Sequence, residues 1–382
     1  MTSARFGRFA PRSTAQMTAW LELFYDLVFV AAILVLSSAV SHVSKPERVT
    51  WVVLVFGSLW WIWLQTTLFT NRFGIDDMTH RLLVLVQMFL VIVVAMEAHE
   101  GVIRDGEYLS LTYAALMGTV AIMYVRASRS DRPHARYARR GAAYTAASAA
   151  IFALAAVAPG FRGVVWLVAF VPSVAALPWG AESSGAPVLD EHHLLERMGA
   201  LTIIVCGEAF VKVAIAVSSG AVQEVDIIAL AFQFVLTFAI WLTYFEDIPQ
   251  AGVRFARLPA WIALHFALQL GIAGTAIGVA RFVNDDPLHH VPPSEILEIM
   301  AALAAVYLAL ALLGPCTRRV PVRPLLTLRL ATCAVVLLVG FAGWLFMWTD
   351  LAEDVAALTV VAIAHAVVAV YLEADTRVLD PA

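Results

Sequence analysis

Charge is scarce in this sequence. Of 382 residues, 14% are Asp, Glu, Lys or Arg, against about 25% in an ordinary soluble domain. Hydrophobic residues make up 61%, and the mean hydropathy is +0.82. One water-soluble core cannot hide that much apolar surface. A bilayer can act as the solvent instead, because helices satisfy their backbone internally. Cysteine is scarce too. Cys206, Cys316 and Cys333 stand far apart with no CxxC, which argues against a disulfide framework and a zinc site. The net charge of −4 is too small to suggest a nucleic-acid partner. Patterns of the GxSxG, HExxH and P-loop types are missing, so no catalytic residue, cofactor or metal site is readable.

What is abundant is the long apolar run. A crossing helix needs roughly 20 apolar residues. That ruler marks twelve segments, at about 20–41, 49–70, 78–98, 107–125, 141–158, 162–180, 194–218, 225–246, 259–281, 294–314, 325–347 and 352–373. The expected fold is all-α, a polytopic integral membrane helical bundle of about 12 spans. Arg5, Arg8 and Arg12 before the first run suggest a signal peptide. That run is about 22 residues long and contains Glu22 and Asp26, so it reads as a retained first span. The join between the fifth and sixth segments falls at Ala158-Pro159-Gly160. A polar stretch bearing Gly, Ser and Pro, 181–193, divides the chain into two six-span halves, 1–180 and 194–382.

Basic residues set the expected orientation. With a cytoplasmic N-terminus, 17 of the 25 Lys and Arg fall at cytoplasmic ends and loops, six of them in 126–140. Five fall outside: Lys45, Arg48, Arg104, Arg162 and Arg281. Arg81, Lys212 and Arg329 lie within spans. The positive-inside rule then places both termini in the cytoplasm, in the cytoplasmic membrane, with segment 181–193 as a cytoplasmic linker. Membrane lipid is an expected partner, and the loop 126–140 also attracts anionic headgroups.

Ionisable groups at bilayer depth are costly unless paired or hydrated, and they mark pathways. Glu22 and Asp26 are four apart and share a helix face. Two like charges there invite a proton or a cation between them. A structural partner is the alternative, and Arg81, beside His80 at the start of the third span, is the expected counter-charge. Glu208 and Lys212 have the favourable order for an i,i+4 pair; they read as a self-neutralised pair or as a gate. Gln65 and Gln87 are expected to bond between helices, and His265 and Gln269 share a face of the ninth span. His265 reads as a packing histidine. Glu97, His99 and Glu100 cluster at the outer end of the third span. The loop pairs His192-His193 and His289-His290 are not read as a metal site, since adjacent residues do not face one ion from a helix. Gly274-Thr275-Ala276-Ile277-Gly278 is GxxxG, a close-packing pattern. Trp20, Trp51, Trp60, Trp61, Trp63 and Trp348 read as an interfacial belt. Asp76-Asp77 could ligate a divalent cation, but fits better as a helix cap.

The halves echo each other. Leu21-Glu22 matches Leu195-Glu196, Trp63-Leu64-Gln65-Thr66 matches Trp241-Leu242-Thr243-Tyr244, and His80 and Gln87 match His265 and Gln269. Six spans separate the copies, which makes a parallel 6+6 repeat, one of the plans of secondary transporters.

The same residues carry a resemblance. Glu22-Leu23-Phe24-Tyr25-Asp26-Leu27-Val28-Phe29-Val30, Asn71-Arg72-Phe73-Gly74-Ile75-Asp76-Asp77 with His80-Arg81-Leu82-Leu83, and Glu196-Arg197-Met198-Gly199 leading to Thr202-Ile203-Ile204-Val205-Cys206-Gly207-Glu208 resemble the bacterial low temperature requirement A family. Tyr25 and Met198 stand where that family often has Phe, and Ala209 where Ser is common. No ionisable group is lost. The resemblance implies a multi-span membrane protein linked by name to growth in the cold. Phe24-Tyr25-Asp26-Leu27-Val28-Phe29 is also similar to the Phe-Ser-Asp-Gly-Val-Phe start of potassium channels of the transmembrane protein 175 type, with Leu27 in place of Gly. That similarity implies six-span units and conduction.

The expected function is a transporter or channel for a small solute or cation. The first and seventh spans would line its path, with Glu22, Asp26 and Glu208 as proton or cation sites. A membrane enzyme acting on a lipid-linked substrate at Asp76 and Asp77, and a structural or assembly factor, are the alternatives. A homo-oligomer stays open.

Overall fold

The computed structural model describes residues 15–40, 47–100, 106–176, 185–218, 224–284, 293–318, 323–346 and 351–379. Arg5, Arg8, Arg12, Lys45, Arg104 and the pair His289-His290 lie outside the described residues, as do the side chains of Arg48, Trp51, His99, Glu100, Arg281 and Trp348. The fold is an all-α helical bundle of a polytopic membrane protein. Its helices are α1 (Ala15–Val40), α2 (Glu47–Phe73), α3 (Met78–Glu100), α4 (Glu107–Ser130), α5 (Ala135–Ala156), α6 (Arg162–Ala176), α7 (Glu191–Ser218), α8 (Glu224–Asp247), α9 (Leu258–Asn284), α10 (Pro293–Leu313), α11 (Arg323–Phe346) and α12 (Leu351–Leu379). The described part of each expected segment falls on its own helix.

Among the described residues, α2, α3, α4, α7, α9, α10 and α11 are each long and apolar enough to cross a membrane. Helices α5 and α6 pass the same test only as a pair, bent by 115°. The sequence ruler counts them as two separate crossings. The bend sits at Pro159, which opens a short 3-10 turn, Pro159–Phe161; proline lacks the N–H that would continue α5. The basic stretch 126–140 is also less of a loop than its composition suggests. Helix α4 runs through Arg126 and Arg129, and α5 begins at Ala135.

Local chemistry sets several helix ends. Asp77 caps α3, its Oδ1 accepting the His80 N–H at 2.8 Å in the manner of an N-cap. Gly74 ends α2 with φ +55°, and its N–H reaches Thr70 O at 2.9 Å. That left-handed position suits glycine. Asp190 caps α7, its Oδ1 accepting the His193 N–H at 3.3 Å.

The apolar surface is as the bilayer requires. Leu82, Leu85, Phe89 and Met96 form an exposed stripe on α3, and Leu337, Leu338, Phe341 and Trp344 another on α11. In water such stripes would drive association. Trp20 is exposed, as an interfacial residue should be, but Trp60 and Trp63 are buried. The expected belt is therefore thinner than the tryptophan count implied, because two of its members point into the bundle.

The helices sort into two compact units, one ending at Leu194 and the other continuing from Leu195. In the first, α1 packs on α3, α3 on α4, α4 on α5 and α5 on α6. In the second, α9 packs on α10, α10 on α11, α11 on α12, and α8 on α12. Glycines allow the closest contact. Gly274 and Gly278 do face α10, and Gly271 extends their line. A Cβ on Gly271 would stand 2.8 Å from Ala302 O and 3.2 Å from Val306 N. Both are backbone atoms and cannot yield. Gly271→Val is expected to destabilise by about 1–3 kcal/mol through overpacking. Gly118→Ala, at a site with nothing within 4 Å, should be neutral in the same detergent unfolding measurement.

Candidate functional site

Helix α1 carries Glu22 and Asp26 on one face. Asp26 is fully buried, and the Trp63 indole N–H of α2 donates to its Oδ1 at 2.7 Å. Glu22 is half-buried. Its Oε2 lies 2.9 Å from His193 Nε2, in the first turn of α7. The rest of the hydrogen bonding decides the histidine tautomer. Asp190 N–H donates to Asn71 Oδ1 at 2.8 Å, which fixes the Asn71 amide. Asn71 Nδ2 then donates to Asp190 O at 2.8 Å and faces His193 Nδ1 at 3.1 Å. Nδ1 must accept, so Nε2 carries the hydrogen and donates to Glu22. A proton arriving on Nδ1 would set two donors against each other and break this bond. Arg72 also fastens the preceding segment, donating to Pro187 O at 2.7 Å with its guanidinium 5.6 Å from the Tyr137 ring centre. The described part of the stretch expected as a linker is therefore docked on α2. Neither Asn71 nor His193 was picked out as a site residue from the sequence; Asn71 stood only within the family-like segment.

Arg81 does not reach the α1 acids. It donates to Asp76 through Nε at 2.8 Å and NH2 at 3.0 Å, a two-pronged pair within one turn of the helix start. Arg126 of α4 holds Asp77 through NH2 alone, which lies 2.8 Å from Oδ1 and 2.6 Å from Oδ2. The expected Glu22–Arg81 and Asp26–Arg81 pairings are thus replaced by nearer partners: a carboxylate five residues away costs less ordering than one on another helix. His80 is buried and stacks on Phe69 at 6.2 Å. It lies within electrostatic reach of Glu22, Asp76, Asp77 and Arg126, and its Nδ1 has no hydrogen-bond partner among the described residues.

The glutamines bond between helices, as expected of such residues in a membrane. Gln65 donates to Ser173 O of α6 at 3.1 Å. Tyr25 of α1 donates to Thr66 of α2 at 3.3 Å, Thr66 to Gln87 Oε1 of α3 at 3.2 Å, and Gln87 Nε2 to Thr119 of α4 at 2.7 Å. One buried polar chain thereby joins four helices of the first unit. The second unit has two buried polar links between helices. His265 Nδ1 donates to Trp261 O at 2.8 Å, so its Nε2 accepts from the Tyr244 hydroxyl at 2.9 Å. Thr202 of α7, which gives its own hydrogen to Met198 O at 2.8 Å, accepts from Gln269 at 3.0 Å. His265 is a satisfied packing residue. Thr66 and Tyr244 occupy matching positions in the two sequence echoes, and each donates from its helix to the next, to Gln87 of α3 and to His265 of α9.

Glu208 and Lys212 are both buried on α7 and within electrostatic reach of each other. The second unit also holds an ion pair that was not foreseen. Arg329 of α11 meets Asp247 at the end of α8, with NH1 at 2.9 Å from Oδ2. Arg329 was visible as a span residue, but Asp247 sits in the mostly apolar run of α8 with no local partner to flag it.

Residues 17–372 match the family described as Bacterial low temperature requirement A protein (LtrA). A protein of Rhizobium meliloti (strain 1021), named Uncharacterized protein RA0937, is 30% identical over 237 residues, covering 59% of this chain and 58% of the relative. The chain thus spans somewhat over half the length of that curated relative. With the match running across nearly all of both units, the chain belongs to the bacterial low temperature requirement A family.

Proposed function

We propose that this protein is a transporter or channel for a small solute or cation, with Glu22 and Asp26 in the first unit and Glu208 in the second as proton or cation sites. The observation that carries this reading is Asp26. A carboxylate wholly buried on α1 is costly in hydrocarbon and marks a pathway by default. One turn before it, Glu22 accepts from a histidine whose partner Asn71 leaves only one nitrogen free to donate. Glu22 and Asp26 are thus two proton-carrying groups one turn apart on a face of α1, with a histidine of α7 donating to the first. The matching hydrogen bonds of Thr66 to α3 and of Tyr244 to α9 support a parallel repeat. We place both termini in the cytoplasm and the protein in the cytoplasmic membrane, on the excess of Arg in 126–140 and at the other expected cytoplasmic ends. An enzyme built on Asp76 and Asp77 has less support, since both carboxylates are engaged by arginines.

The test is flux in sealed proteoliposomes holding the purified full chain, under potassium, sodium and proton gradients in turn. Flux above that of protein-free vesicles is expected for one of the three, with Glu208→Gln reducing it. Silence for all three ions from folded wild-type protein would sink the ion assignment.

A further inference from the structure

The second unit contains a buried polar cluster that the transport reading does not use. Arg329 on α11 and Tyr307 on α10 are both almost fully buried, as is His365 on α12. Arg329 spends NH1 on Asp247 at 2.9 Å and on Leu310 O at 3.1 Å. Its Nε and NH2 have no hydrogen-bond partner among the described residues. The Tyr307 hydroxyl and His365 Nε2 are in the same condition.

These groups share one neighbourhood. Tyr307 is one turn from Leu310, whose carbonyl takes Arg329, so both lie on the α10 face toward α11. Thr332 is one turn from Arg329 and lies 2.8 Å from His365 Nδ1. The Tyr307 and His365 rings are 4.7 Å apart, and His365 is within electrostatic reach of Arg329.

The chemistry of these groups is specific. Thr332 gives its only hydrogen to Leu328 O at 2.9 Å, so His365 Nδ1 must donate to Thr332. Neutral His365 then offers Nε2 as an acceptor. Arg329 offers Nε–H and NH2 side by side, the edge of the guanidinium that matches a carboxylate with two parallel bonds. Asp247 does not take that edge; it binds end-on at NH1. Tyr307 adds an O–H. The donors outnumber the acceptors, and unsatisfied donors in a dry interior are unfavourable.

We propose that Arg329, Tyr307 and His365 form a binding site for a small planar monoanion with a carboxylate-like edge. Two of its oxygens take the Arg329 edge and the Tyr307 hydroxyl donates to one of them. An anion that also carries a hydroxyl, such as bicarbonate, can donate it to His365 Nε2.

The experiment is thermal unfolding of the purified full chain in detergent, titrated with sodium formate and with sodium bicarbonate. A bulky sulfonate holds ionic strength constant. A saturable rise in Tm is expected with both anions. Tyr307→Phe, which removes one oxygen without changing shape, should weaken the apparent Kd by about tenfold or more, the worth of a hydrogen bond to a charge. Arg329→Lys should weaken it further, and Tyr307→Phe alone decides if that variant fails to fold. His365→Phe should erase any advantage of bicarbonate over formate. No saturable response in the wild type, or an equal response in Tyr307→Phe, overturns the site and leaves these groups to water.

Discussion

Asp247→Ala is expected to lower the stability of the purified protein by about 3–5 kcal/mol, the usual cost of removing one member of a buried ion pair. Both partners are nearly sealed, with side-chain exposures of 2% for Arg329 and 9% for Asp247. After the substitution Arg329 keeps only the Leu310 carbonyl. Its charge stays inside, opposite no carboxylate. The cost arises mainly from that stranded charge rather than from a lost attraction. The double variant Asp247→Leu with Arg329→Met should therefore recover most of the loss, since apolar replacements of buried ion pairs are often neutral or better. Denaturant unfolding of the three forms in one detergent measures this. If Asp247→Ala unfolds where the wild type does, the ion pair between α8 and α11 carries no stability.

The second large effect is on flux. Asp26→Asn is expected to reduce ion or proton movement in proteoliposomes to the background of empty vesicles. Asparagine keeps the volume of the side chain and an oxygen that can accept from Trp63, so the contact between α1 and α2 survives. What disappears is the negative charge and the ability to bind and release a proton. The companion variant Trp63→Phe does the opposite: it keeps the carboxylate and deletes the donor. It should cost about 1.5–3 kcal/mol of stability, as for hydrogen bonds to charged groups, while leaving measurable flux. Wild-type flux in folded Asp26→Asn would end the assignment of Asp26. Background flux in both variants would make the Trp63–Asp26 hydrogen bond, and not the carboxylate charge alone, a requirement for flux.

The composition, the segment lengths and the caps belong to the sequence alone. Bilayer thickness sets the length of an apolar run, and helix bonds close within four residues, so both signals are local. For that reason the twelve helices, the capping by Asp77, the close packing at Gly274 and Gly278 and the family-like segments were all legible before any fold was known. Choice of partner was not. Glu22 found His193, 171 residues away; Asp26 found Trp63; Arg81 turned to Asp76; and Arg329 crossed to Asp247. Helices that are apolar nearly all round give no single stripe from which to read their rotation. Which polar groups meet is then decided by helix order, rotation and tilt, properties that exist only in the packed bundle.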